Sequence, residues 1–210
     1  MSEFEIIDLG VTTEERKVLE KFRITNKNVK STKISLFTTD DYASHLRVFL
    51  SYRGCNTIEQ VEQVIIILLK LIEHGKRILG GEEAWISLRC WPDYAHDYRW
   101  HRDIHNPISD RACVMVLKGP GTMVVDSDAR FNALFGRQLQ VNKAKFITDS
   151  GMEVKQVEQY RGLIFKTGEN GTIHSEPYQE EESQRMIIRM ECGEKTKVDA
   201  FKKSMNDRLG

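Results

Sequence analysis

The texture of this chain changes near residue 84, and that change limits the fold more than any single motif. Upstream, apolar residues recur at helical spacing behind capping signals. Thr12-Thr13-Glu14-Glu15 predicts the start of a helix that runs to about Phe22, with its acidic residues set against the helix dipole. Asp40-Asp41 predicts a second helix that stops at Gly54. Thr57-Ile58-Glu59-Gln60 has capping-box spacing and precedes the strongest helical segment, Val61 to about Glu73. Apolar residues cover much of that helix, so it is expected to lie buried against a sheet. From Ala84 the chain turns to short runs of strand-forming residues. These are 84–90, 113–117 resuming at 122–125 after Gly119-Pro120-Gly121, 162–166 and 185–190. Asp128 to Gln138 reads as a short helical insertion, and Asn142 to Tyr160 fits either state. Lys195 to Gly210 is a polar tail with the character of a frayed helix. Helices first and short strands later predict an α+β architecture, an antiparallel sandwich or barrel buttressed by helices.

The 210 residues suit one domain with a full core. Residues 1–83 are expected to be mainly helical support, 84–192 the β core and 193–210 a tail. Lys and Arg together number 31, as do Asp and Glu, so no general basic surface for nucleic acid is expected. The acidic start Met1-Ser2-Glu3-Phe4-Glu5 lacks the apolar centre of a secretion signal. The apolar run at 64–72 is too short to span a bilayer. Cys55, Cys90, Cys113 and Cys192 form no Cys-x-x-Cys pair, which favours free thiols and a cytoplasmic location.

The residues with most chemical content are His101-Arg102-Asp103 and, far downstream, His174 followed by Arg185 and Arg189. In an extended segment residues i and i+2 point the same way, so His101 and Asp103 can converge on one ion while Arg102 points away. Two histidines and a carboxylate can occupy one face of an octahedral metal and leave the opposite positions open. A metal-free surface His–Asp pair and a loop histidine beside Pro177 are the bland alternative. The pair precedes one hydrophobic strand and His174 follows another, which weighs against it. Residues 185, 187 and 189 of an extended strand share a face, so both guanidiniums can enter one cavity, where a buried arginine needs an anion. A zinc cluster of His96, His101 and His105 with Asp93, Asp97 or Asp110 matches no helical or finger-like zinc pattern.

The order His101-x-Asp103, His174, Arg185 resembles that of the iron(II)- and 2-oxoglutarate-dependent dioxygenases, over roughly residues 84–192. With Arg111, Gly119-Pro-Gly-Thr122 and His174-Ser-Glu-Pro177 it also resembles an uncharacterised bacterial domain family of that type. The resemblance implies a double-stranded β-helix (jelly roll, cupin-like), with Fe(II) on His101, Asp103 and His174. It implies that Arg185 grips the distal carboxylate of 2-oxoglutarate through its planar fork, with Arg189 the competitor for that role. Should Arg185 take the cosubstrate, Arg189 is left for an acidic group of the substrate or for a buried carboxylate. Thr172 or Tyr98 could add hydroxyl contacts. The implied reaction uses O2, converts the 2-oxo acid to succinate and carbon dioxide, and abstracts hydrogen from a substrate C–H bond. The carboxylate at Asp103 argues against halogenation.

Two other readings stay open: a cupin-like metalloenzyme that uses no 2-oxo acid, and a non-catalytic binding protein. Small size and neutral charge favour a small-molecule substrate. The aromatic run Trp91, Tyr94, Tyr98, Trp100 fits either a lid over the entrance or ordinary packing. Gly119-Pro120-Gly121 is expected to be a tight turn, and Glu180-Glu181-Glu182 a solvated hairpin tip.

Overall fold

Capping chemistry sets where the helices begin. The computed structural model of the protein describes residues 4–28, 32–38, 40–94, 99–103, 108–139, 142–177 and 183–207. Helix α1 (Thr13–Lys21) opens on a capping box: the Thr12 hydroxyl accepts from the Glu15 amide, and the Glu15 carboxylate accepts from the Thr12 amide. Asp41 caps α2 (Tyr42–Ser51). Thr57 and Gln60 make the same box for α3 (Ile58–Leu79). That helix runs on to Leu79 rather than ending near Glu73. It passes through Gly75, where a Cβ would stand 2.5 Å from the Met115 methyl group, so the missing side chain lets α3 lie close on the sheet.

The upstream region, expected to be mainly helical, holds two short strands beside its three helices, β1 (Phe4–Asp8) and β2 (Lys33–Phe37). Each has five residues with incomplete alternation, too little periodic signal to stand out beside three capped helices. Downstream come β3 (Glu83–Tyr94), β4 (Arg111–Lys118), β5 (Met123–Val125), α4 (Ala129–Gly136), α5 (Lys143–Asp149), β6 (Val154–Gln156), β7 (Arg161–Lys166), β8 (His174–Ser175), β9 (Ser183–Gly193) and α6 (Lys195–Asp207). The polar tail is thus helical through Asp207, and Val198 anchors it against Phe37, Trp85 and Ile108.

The strands form two antiparallel sheets. The larger has the order β1-β7-β4-β9-β3-β2, the smaller β6-β5-β8. An isolated antiparallel bridge between His101 and His174 attaches the 99–103 segment beside β8. From β3 onward the chain therefore passes back and forth between the sheets. Side-chain alternation then separates two cores. On β4, Cys113, Met115 and Leu117 join Val64, Leu68 and Leu71 of α3, while Ala112, Val114 and Val116 join Val124, Val157, Leu163, Phe165 and Ile187. The first core packs the helices on the larger sheet; the second ties the sheets together. On β9 the same alternation sends Met186, Ile188 and Met190 to the helices and Arg185, Ile187, Arg189 and Glu191 to the inner face.

All four cysteines are free, with Cys90, Cys113 and Cys192 buried. No helix among the described residues is long and apolar enough to cross a membrane. His96, Asp97, Tyr98, His105 and the Glu180–Glu182 stretch lie outside the described residues.

Candidate metal centre

Backbone pairing brings two of the three donors together. The His101 amide donates to the His174 carbonyl at 2.9 Å, and the His174 amide returns the bond at 3.0 Å. Their ring centroids stand 4.4 Å apart. Two residues beyond His101, Asp103 returns to the same side. One of its carboxylate oxygens lies 3.7 Å from His101 Nε2 and the other 3.6 Å from His174 Nε2. The donor atoms of all three residues lie within 4.8 Å of one another, the one such group of His, Cys, Asp or Glu found among the described residues. Asp110, offered to a zinc cluster by the sequence, is exposed and outside this group.

The donor set fits a metal in chemistry as well as in distance. His174 Nδ1 stands 3.1 Å from the Thr172 carbonyl oxygen, and His101 Nδ1 faces the Arg99 carbonyl in the same way. A carbonyl can only accept, so each Nδ1 carries the ring proton and each Nε2 turns a lone pair toward Asp103. Ligands about 2.1 Å from one ion and at right angles to each other stand roughly 3 Å apart. The two histidine–aspartate separations, 3.7 and 3.6 Å, need only a small closure.

Electrostatics favour the same form of His174. Burial pushes the His174 imidazole down to about 4, with His101 adding to the effect against the pull of Asp103. Burial opposes ionisation of Asp103, but His174, Arg189 and His101 outweigh it and hold the carboxyl below its usual range. Near neutrality the site therefore offers a neutral imidazole and a carboxylate, the forms a metal requires. A pH dependence follows for the metal-free protein. The unfolded chain protonates its histidine near 6.5, the folded chain only near 4. His174 therefore contributes stability above 6.5 that is lost as pH falls toward 4, amounting to about 3 kcal/mol. Asp103, also depressed, acts in the same direction at lower pH. Urea midpoints measured in chelator are expected to drop between neutrality and pH 4, and His174→Ala should flatten that drop.

The two arginines of β9 have different neighbours. Arg185 is fully buried; its Nε donates to the Pro120 carbonyl at 3.0 Å, and its guanidinium lies 5.1 Å from the centre of the Trp91 ring. The chain bends at Gly119-Pro120, with Gly119 at φ +76°, and a Cβ on Gly121 would fall 1.5 Å from the Val157 carbonyl oxygen, so only glycine fits there. Arg189 contacts acidic groups instead. Its Nη1 stands 2.8 Å from the Asp103 carboxylate, and its Nε donates to Glu191 at 3.1 Å.

Three participants escaped sequence reasoning. Arg89 on β3 stands 3.7 Å from Glu176, and Arg185 stands 3.9 Å from the same carboxylate oxygen. Glu191 is buried behind Arg189. Alternation along β3 and β9 could have flagged the inward charges at 89 and 191, but their partners, Glu176 for Arg89 and Arg189 for Glu191, are set by the folded chain. The aromatic run divides: Trp91 faces Arg185 across that register, and Trp100 packs with Val125, Phe135, Ile147 and Ile173. The Thr172 hydroxyl accepts from the Lys166 amide at 3.2 Å. Arg111 is exposed at the start of β4.

No family model and no curated protein matches this chain. Solved structures do align with it. A prolyl-4-hydroxylase from Pseudomonas putida aligns over 90% of this chain and 91% of its own, at 11% identity and a TM-score of 0.43. EctD from S. alaskensis, solved with bound Fe, aligns over 91% and 73%, at 11% identity and 0.49. The dioxygenase for auxin oxidation 1 from Arabidopsis thaliana, solved as its 2-oxoglutarate complex, aligns over 94% and 88%, at 9% identity and 0.42. Likeness of this degree says nothing of chemistry, and the site stands on its own geometry.

Proposed function

We propose that this protein is an oxygenase using Fe(II), 2-oxoglutarate and O2, built on a jelly-roll core with His101, Asp103 and His174 as the iron ligands. The observation that carries the reading is the convergence of two Nε2 atoms and a carboxylate at the edge of the smaller sheet. A jelly roll accounts for the passage of successive strands between two antiparallel sheets, four on the larger from β3 onward and four segments on the smaller. Three protein ligands leave room on the ion for an organic chelate and O2.

Bound iron and the 2-oxo acid would supply the oxidising chemistry; the protein's part is to bind, orient and exclude water. Arg185 suits the distal carboxylate. Its fork is fixed from two sides by the Pro120 carbonyl and the Trp91 ring, so little side-chain freedom is lost when an anion binds. Arg189 already meets Asp103 and Glu191, which leaves it less suited to that role. A small-molecule substrate fits the near-neutral chain, hydroxylation is its default outcome, and free thiols fit a reducing cytoplasm.

The test is turnover. Protein loaded with Fe(II) and supplied with 2-oxoglutarate and O2 is expected to release succinate slowly without a substrate, and faster when a true substrate is found among candidate metabolites. Loaded protein that releases no succinate with any of them would overturn the reading.

A further inference from the structure

We propose that Arg189, held from behind by Glu191, positions the Asp103 carboxylate so that it meets the metal through one oxygen. The inference rests on reading His101, Asp103 and His174 as an iron site. Strand β9 lies inside the larger sheet between β4 and β3, and Arg189 is paired with Val114 on one side and Ser87 on the other. Its backbone is therefore fixed on both edges. Asp103 sits outside any strand, two residues past the His101 bridge. A rigid cation thus holds a less constrained carboxylate.

The guanidinium divides its donors. Nε and Nη2 both bond Glu191, and Nη1 reaches Asp103 Oδ2 at 2.8 Å. Oδ2, which also lies 3.6 Å from His174 Nε2, is thus held in an ion pair, and Oδ1, 3.7 Å from His101 Nε2, is the oxygen clear of the guanidinium and the one assigned to the ion. A carboxylate occupied in this way supplies one oxygen rather than two, and the face opposite the three ligands stays open. Glu191 has a second use. A lone cation beside the metal would repel it, whereas the alternation Glu191, Arg189, Asp103, metal offsets that repulsion.

Removing Arg189 therefore sets two effects of opposite sign against each other. Electrostatics alone predicts tighter metal binding, because a cation has gone; loss of positioning predicts weaker binding. Cobalt(II) titration of the whole chain without oxygen, followed by visible absorption, reads the sign directly. Arg189→Met is expected to weaken cobalt binding by about 10–100-fold and to shift the visible band as both carboxylate oxygens become available. Arg189→Lys, which keeps the charge but not the fork, should recover part of the loss. Glu191→Gln should show a smaller loss in the same direction. Cobalt binding by Arg189→Met as tight as wild type, or tighter, overturns the proposal. Should that variant fail to fold by circular dichroism, Arg189→Lys decides, and wild-type affinity there overturns it. Wild-type protein that takes up no cobalt instead defeats the metal-site reading itself, so the two failures are distinguishable.

Discussion

His174→Ala is expected to abolish iron binding. The residue is almost fully buried, its Nδ1 is committed to the Thr172 carbonyl, and its Nε2 faces Asp103. A four-ligand zinc site worth about 10–16 kcal/mol assigns each ligand roughly 2.5–4 kcal/mol, or about two to three powers of ten in affinity. Loss of one ligand from a set of only three costs at least as much. Iron content after anaerobic loading and desalting should fall from about one per chain to near zero. The His101–His174 bridge is made by backbone atoms and survives the substitution, so circular dichroism should show a retained fold. Retention of iron by this variant would move the metal elsewhere.

Arg185→Ala is the second large effect, and it should separate cosubstrate from metal. The guanidinium is completely buried, and its Pro120 and Glu176 partners are not metal-ligand candidates. Iron uptake should persist. Affinity for 2-oxoglutarate is expected to fall by about 100-fold or more, since a buried charge-assisted pair is worth about 3 kcal/mol. Arg185→Lys should recover only part of this, because an ammonium cannot reproduce two parallel bonds to a carboxylate. Equilibrium binding of 2-oxoglutarate to iron-loaded protein measures both variants. An affinity equal to wild type in Arg185→Ala would transfer the role to Arg189.

What the sequence made legible follows from periodicity. Spacing of two put His101 and Asp103 on one side, and the same rule put 185, 187 and 189 on one face of β9. Capping signals at Thr12, Asp41 and Thr57 marked three helix starts that the structure keeps. What stayed hidden depends on pairing between distant segments. Arg189 meets Asp103 across 86 residues (189 − 103), and Glu176 lies between Arg89 and Arg185 only because β3 and β9 run in one particular register. The edge strands β1 and β2 were hidden for a related reason, since each draws its stability from a long-range partner, β7 and β3. The extension of α3 past Glu73 depends on the fit of Gly75 against Met115 and Met190, a property of the packed sheet.

On the proposed function, His101, Asp103 and His174 would hold iron with room beside it for 2-oxoglutarate. Anaerobic addition of Fe(II) and then 2-oxoglutarate to the purified chain tests it most directly. The expected result is a weak visible charge-transfer band that saturates at one iron and one 2-oxoglutarate per chain. Iron-loaded protein that develops no such band would contradict the claim and favour a metalloenzyme that dispenses with the 2-oxo acid, and protein that takes up no iron would favour a binding module without turnover.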